Sequence, residues 1–363
     1  MPDTTYPNVS EVRLKPYNTS PTKVVSGSSR TGAAWIDGWR RVAAAPAIAA
    51  GVFALTFVLA VPLALTMRGM LQTHLGRSLA ADQAAEGVNY DWWQEFTAQT
   101  SGVGSTFVPS IIGAGATLDN ISSLLDGQKE IVPVASALAL YLAAWTFVAG
   151  GILDRYARQR RTRAPGFFAA SGVYFFRFLR VAVIAGIFYW WMFDFVRYWL
   201  LVEWYPDLTR DIAVERTAFA IRAALYAVFG ALLVFGNMVF DYTKVRMVVE
   251  DRRSAFGALM AALRFIARNP GRTFGLYALN GLVFVALFAL WTVVAPGAGG
   301  AGASVWLVFV AGQMYLLARL LLKLHFLASQ TALFQGSLAH AAYTAAPEPV
   351  WPDSPAAEAL GSR

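Results

Sequence analysis

Apolar runs of membrane-crossing length alternate with charged connections along most of the chain. The runs fall at about 47–67, 131–153, 181–202, 217–240, 273–294 and 304–327. A helix needs about 20 apolar residues to cross a hydrocarbon core of ~30 Å, so each run predicts one membrane-spanning helix. The expected fold class is therefore all-α: a polytopic membrane helical bundle of six transmembrane helices. The stretches 1–33 and 337–363 lack this patterning and are rich in Ser, Thr, Pro and Ala. They are expected as flexible tails flanking a membrane domain at 34–336. The first apolar run is full length and starts only near Ala47, which does not fit a signal peptide.

Two connections carry patterning of their own. Residues 68–130 make too long a stretch for a passive loop. They hold Asn89-Tyr90-Asp91, a weak turn signal, then Trp92, Trp93 and Phe96. Beyond Gly104 comes a broken apolar series: Phe107, Val108, Ile111, Ile112, Leu118, Ile121, Leu124 and Leu125. It is too interrupted to span and predicts an external helical cap, with a substrate lid or a docking surface as the alternatives. In the second connection Phe256, Leu259, Met260, Leu263 and Ile266 recur at helical spacing until Asn269-Pro270-Gly271. This predicts a cytoplasmic amphipathic helix, lying on the membrane surface or packed against extensions of the spans. The same two choices hold for 165–180, where Phe167, Phe168, Tyr174, Phe175, Phe176 and Phe178 stand beside arginines.

Charge sets the threading. Residues 68–130 carry three basic and seven acidic side chains, and 203–216 carry two and four. By contrast, the connection after the second run has Arg155, Arg158, Arg160, Arg161, Arg163, Arg177 and Arg180 against Asp154 alone. The one after the fourth run has seven Lys or Arg, from Lys244 to Arg272, against Asp241, Glu250 and Asp251. Basic connections face the cytoplasm, so both termini are expected there. The net charge of +8 is thus read as orientation rather than as affinity for nucleic acid. Its expected partners are membrane lipids, anionic on the cytoplasmic side, and possible protein partners.

Five charges fall within the runs: Asp194 and Arg197 in the third, Arg222 in the fourth, Arg319 and Lys323 in the sixth. Charges in hydrocarbon are costly and normally face protein or water. With ~1.5 Å rise per residue, Asp194 and Arg222 lie within one turn of each other in depth, so they are expected to pair. Arg197 is expected to reach Glu203 or Glu215. Such a pair fixes helix packing, or it lines a path for an ion or anionic solute. Arg319 and Lys323 are four apart and share a face. They are placed to reach headgroup phosphates, or to meet Asp241 and Glu250. His325 beside them is read as interfacial.

Within the second basic connection, Asp241, Lys244, Val248 or Val249, Glu250-Asp251, Ala255, Ala258-Leu259, Phe265, Asn269 and Gly275-Leu276 resemble a segment of uncharacterised bacterial six-span inner-membrane families. The membrane domain attached to some glycerophosphodiester phosphodiesterases is similar. The resemblance covers 241–276 and the span count. The hydrolase residues of those enzymes belong to a separate soluble domain without a counterpart here, so no catalytic residue carries over. The resemblance implies a protein integral to the bacterial cytoplasmic membrane and linked to lipids or the envelope. The charged stretch at the start of 241–276, Asp241, Lys244, Arg246, Glu250, Asp251, Arg252 and Arg253, is the cytoplasmic segment of interest.

Little else points to chemistry. There is no cysteine, which excludes thiolate metal sites, and with three histidines an all-histidine metal site is not expected. No phosphate-binding glycine loop, zinc-protease signature or nucleophile elbow is present, and no cofactor is expected. The acids Asp82, Glu86, Asp91 and Glu95 read as a solvated face rather than a cation site. The leading functional reading is a non-enzymatic component that binds lipids or partners. A small transporter or permease subunit using the intramembrane charges is the alternative, and a lipid-modifying enzyme using the external acids is the third.

Overall fold

The computed structural model describes residues 27–76, 78–86, 89–107, 119, 122–123, 132–295 and 303–345. The helices are α1 (Gly27–Ala43), α2 (Pro46–Leu75), α3 (Ala80–Glu86), α4 (Tyr90–Gln99) and α5 (Val132–Arg158), then α6 (Ala164–Thr209). They continue with α7 (Glu215–Val249), α8 (Ala255–Arg268), α9 (Pro270–Val294) and α10 (Ala303–Ala345). Among the described residues there is no strand.

Six of these helices are long and apolar enough to cross a membrane: α2, α5, α6, α7, α9 and the Val305–Leu338 part of α10. In none of them is more than 22% of the most apolar stretch buried inside the protein. That surface must be covered by something other than this chain, and hydrocarbon matches helices of this length and hydropathy. The chain is a membrane-integral, all-α polytopic bundle, as its patterning predicts.

The helices overrun the apolar runs. α6 is continuous from Ala164 to Thr209, so 165–180 is an extension of a span and not a separate surface helix. α1 begins at Gly27 and α10 reaches Ala345, both inside stretches expected as flexible tails. The remainder of those tails lies outside the described residues.

Burial is polarised along the bundle. Buried side chains occupy the C-terminal part of α5 (Ala149 to Tyr156), the N-terminal part of α6 (Ser171 to Val181) and the C-terminal part of α7 (Gly236 to Val248). They also occupy the start of α9 (Thr273 to Asn280) and the stretch Leu320 to Phe334 of α10. Because successive spans alternate in direction, all of these lie at one end, the arginine-rich one.

Small residues and shared helix caps hold that end together. A methyl added to Gly151 of α5 would stand 2.5 Å from Ser171 Oγ and 2.8 Å from the Phe167 carbonyl of α6. On Gly38 of α1 it would stand 2.8 Å from Ser329 Cβ of α10. Small residues permit such close approach between helices in membranes. The last carbonyls of a helix lack intrahelical partners, and here the neighbours supply them. Arg41 Nη1 donates to Tyr156 O at 2.8 Å and Gln335 Nε2 to Ala157 O at 2.9 Å, both at the end of α5. In return, Arg155 Nη2 of α5 donates to Ala44 O just past α1 at 3.1 Å. Arg41 also binds Gln335 Oε1 at 2.7 Å and Asp37 at 2.7 Å.

The other end is looser. Met192, Leu200 and Phe229 form a small separate cluster, while Trp190, Trp191, Phe195, Tyr198, Trp199 and Trp204 are exposed. Above it, α4 is fixed on the end of α2. Asn89 caps α4, its Oδ1 accepting from Trp92 N at 3.1 Å, which is more than the weak turn expected. Trp92 Nε1 donates to His74 Nδ1 at 3.0 Å, and Phe96 is fully buried between Trp92, Phe107 and His74. Of the rest of the expected cap, Val108, Ile111, Ile112, Leu118, Ile121, Leu124 and Leu125 lie outside the described residues.

Candidate anion-binding cleft

α7 ends in a tight reversal. Asp251 takes a left-handed conformation (φ 48°), which Asp tolerates better than most residues, and Arg252 N donates to Met247 O at 3.1 Å. Ser254 then caps α8, its Oγ accepting from Gly257 N at 3.2 Å. The face that α8 buries is Ala255, Ala258, Ala262, Phe265 and Ile266, whereas Phe256 and Met260 of the expected apolar stripe are exposed. Alanines bring α8 close against α7 with Phe265 and Ile266 beside them, while Phe256 and Met260 point away. At Asn269 the helix stops and Pro270 opens α9, a position where the missing N–H costs nothing.

This elbow, the end of α7 and the last turns of α10 enclose a cavity of about 540 Å³. Phe265, Phe334, Ala261 and Leu338 give it apolar walls, and Arg246, Arg252, Arg264, Arg268 and Arg272 surround them. Arg246 is the fixed member. It grips Glu250 through two nitrogens at 2.6 and 3.2 Å, donates to Ala261 O at 2.5 Å and stacks 5.1 Å above the Phe334 ring. Arg252 binds the same Glu250 carboxylate. Burial by itself would raise the Glu250 carboxyl, but the hydrogen bonds and charges of Arg246 and Arg252 hold it below its ordinary range. Arg264 and Arg268 are exposed and Arg272 half-buried. Among the described residues no carboxylate pairs with any of these three. Five guanidiniums thus face one carboxylate, and the N-terminus of α9 adds its positive dipole end. The arrangement can accept a multiply hydrogen-bonded anion such as a phosphate.

The cytoplasmic segment expected from sequence is divided by the structure. Arg246, Glu250 and Arg252 enter the cleft. Asp241 and Lys244 pair with each other at 2.7 Å, deep in the packed end. Asp251 binds Arg177 of α6 at 2.5 Å, which holds its carboxyl below the ordinary range. Arg253 is exposed. Arg264, Arg268 and Arg272, which lie beyond the segment expected from sequence, complete the cleft, and their four-residue spacing was the available signal.

The intramembrane charges are arranged otherwise than expected. Among the described residues no ion pair joins Asp194 to Arg222, or Arg197 to Glu203 or Glu215. α6 contains two π-helical stretches, Met192–Val196 and Trp199–Trp204. Met192 is buried against Phe229 of α7, and Asp194, two residues on, lies roughly half a turn around the helix and is exposed. Arg197 Nε donates back to Phe193 O at 3.1 Å, next to the displaced hydrogen-bond ladder. Arg222 lies over Tyr205 and Tyr226 at 5.6 and 5.8 Å. In α10, Lys323 sits 3.5 Å from the Trp145 ring centroid and 3.2 Å from Tyr141 Oη, both on α5. Arg319 lies 5.6 Å over Tyr315. Aromatic faces hold these cations. His325 is not interfacial but buried, stacked on Trp39 at 4.2 Å with Trp35 edge-on at 5.3 Å.

Compared with protein-family models, with curated proteins and with solved structures, the chain matches none.

Proposed function

We propose that this protein is a non-enzymatic component of a bacterial cytoplasmic membrane, its termini on the cytoplasmic side, that binds the phosphate-bearing headgroup of an anionic lipid. The observation that carries this reading is the cleft of about 540 Å³ in which five arginines surround apolar walls. Glu250 binds two of these arginines, leaving the other three to meet an incoming anion. Basic side chains next to an anionic leaflet contribute ~1 kcal/mol each. An apolar floor beneath guanidiniums suits a headgroup that carries its first carbons with it better than it suits free inorganic phosphate.

The test is binding of short-chain phosphatidylglycerol and short-chain phosphatidylcholine to the protein in nanodiscs. The wild type is expected to prefer the anionic lipid. Changing Arg264, Arg268 and Arg272 to Gln should remove about 3 kcal/mol, on the order of 100-fold in affinity, and should leave phosphatidylcholine binding unchanged. Equal affinity for both lipids, or an unaltered triple variant, would sink the reading.

A further inference from the structure

A second cavity, about 700 Å³, lies between α2, α5 and α6 and shares no residue with the arginine cleft. One wall is α2, where Ala47, Gly51 and Leu55 follow at four-residue spacing and so form a single face. Phe167 and Phe168 of α6 contribute apolar surface. Polar groups are confined to Arg155, Arg161 and Thr162. The acid nearest in sequence, Asp154, is engaged by Arg158 at 2.6 Å, and among the described residues no carboxylate pairs with Arg155 or Arg161. Arg155 uses one N–H on Ala44 O, which leaves the rest of its fork for a ligand.

The dimensions select the ligand. From Pro46 to Leu55 the groove runs about 14 Å along the α2 axis, close to one leaflet of a hydrocarbon core of ~30 Å. Ala47, Gly51 and Phe168 are exposed, on helices whose apolar surface the bilayer covers. We propose that this groove holds one acyl chain of an anionic phospholipid, with the phosphate against Arg155 and Arg161. The site is built from different residues than the cleft and stands whether or not the cleft binds lipid.

A Cβ at Gly51 meets nothing within 4 Å, so Gly51→Leu fills the groove without disturbing the fold. Arg161 is exposed, and Arg161→Gln removes charge alone. Both are introduced into full-length protein already carrying Arg264→Gln, Arg268→Gln and Arg272→Gln, so that the cleft contributes nothing. Retention of phosphatidylglycerol is then followed by native mass spectrometry. Arg161→Gln should weaken it about fivefold and Gly51→Leu on the order of tenfold, while excess inorganic phosphate displaces no lipid. A phosphatidylglycerol with a photoreactive acyl chain should crosslink to the α2 segment around Gly51, and to much less of it in Gly51→Leu. Unchanged retention in Gly51→Leu, or displacement by inorganic phosphate, would overturn the proposal: the first removes the chain from the groove, the second reduces the site to a phosphate mouth. Loss of lipid in the triple background alone would instead place all binding in the cleft.

Discussion

At the arginine-rich end of the bundle, Arg41, Asp154, Thr243, Asn280 and Gln330 are buried among packed helices; at the other end Trp190, Trp199, Trp204 and Phe219 are exposed. The same helices pass through both ends, so the contrast lies in which side chains each end of a span carries. At the packed end large apolar side chains such as Ile152, Tyr242 and Leu324 interlock with glycines, alanines and hydrogen-bonded polar groups, as where Asn280 Nδ2 donates to Ser329 Oγ at 3.0 Å. Such contacts need fixed geometry. At the open end large apolar side chains point outward, where acyl chains solvate them as well as protein would. A membrane bundle can thus be held rigidly at one end, where both cavities and their arginines sit, while lipid covers the other.

The strongest way to break the contrast is to remove a buried tie. Arg41→Gln leaves the Tyr156 carbonyl, Gln335 and Asp37 without their shared donor. It should lower unfolding free energy by about 3 kcal/mol, as when one partner of a buried ionic contact is lost. Arg210→Gln, whose pair with Asp207 is exposed on both sides, should change stability by no more than about 0.5 kcal/mol. Denaturant titration of the two variants in the same micelle measures both. If they prove equally harmful, the ends are not built differently.

Next in size is a steric comparison. Gly151→Leu would force α5 off α6 and should cost about 1–3 kcal/mol or more. Gly230→Leu, where an added Cβ meets nothing within 4 Å, should stay within about 0.5 kcal/mol. Thermal unfolding of both variants sharpens the contrast, and an unaffected Gly151→Leu would contradict the packing described.

The smallest expected effect is electrostatic. Arg177 holds the Asp251 carboxyl, and Arg246 with Arg252 hold that of Glu250, below the ordinary range. Groups with a depressed folded pKa stabilise the fold above the unfolded carboxylate value of about 4. That contribution is lost as pH falls through the lower folded value. Melting temperature should therefore decline on acidification below about pH 4, and Asp251→Asn should make the decline shallower. An identical slope in the variant would remove Asp251 from the account.

What could be read from the chain and what could not divide along physical lines. Six apolar runs dictate six spanning helices, because hydrocarbon leaves a lone segment no other way to satisfy its backbone, and no neighbour is needed for that inference. Arg246, Glu250 and Arg252 could be singled out because charge beside a span is visible in one dimension. The pairing of Asp194 with Arg222 was not decided by depth alone. It depended on which face of α6 turns toward α7, and two π-helical stretches with Met192 inward set that face. Likewise α1 and α8 join the bundle through Ala34, Gly38, Ala258 and Ala262, residues too small to register as a hydrophobic stripe. The cleft itself exists only because the Asn269-Pro270 elbow and the end of α10 bring Arg264, Arg268 and Arg272 around Phe334. Hydropathy and charge belong to residues singly and survive in the sequence; facing, close approach and enclosure are relations between residues, and only the packed helices fix them.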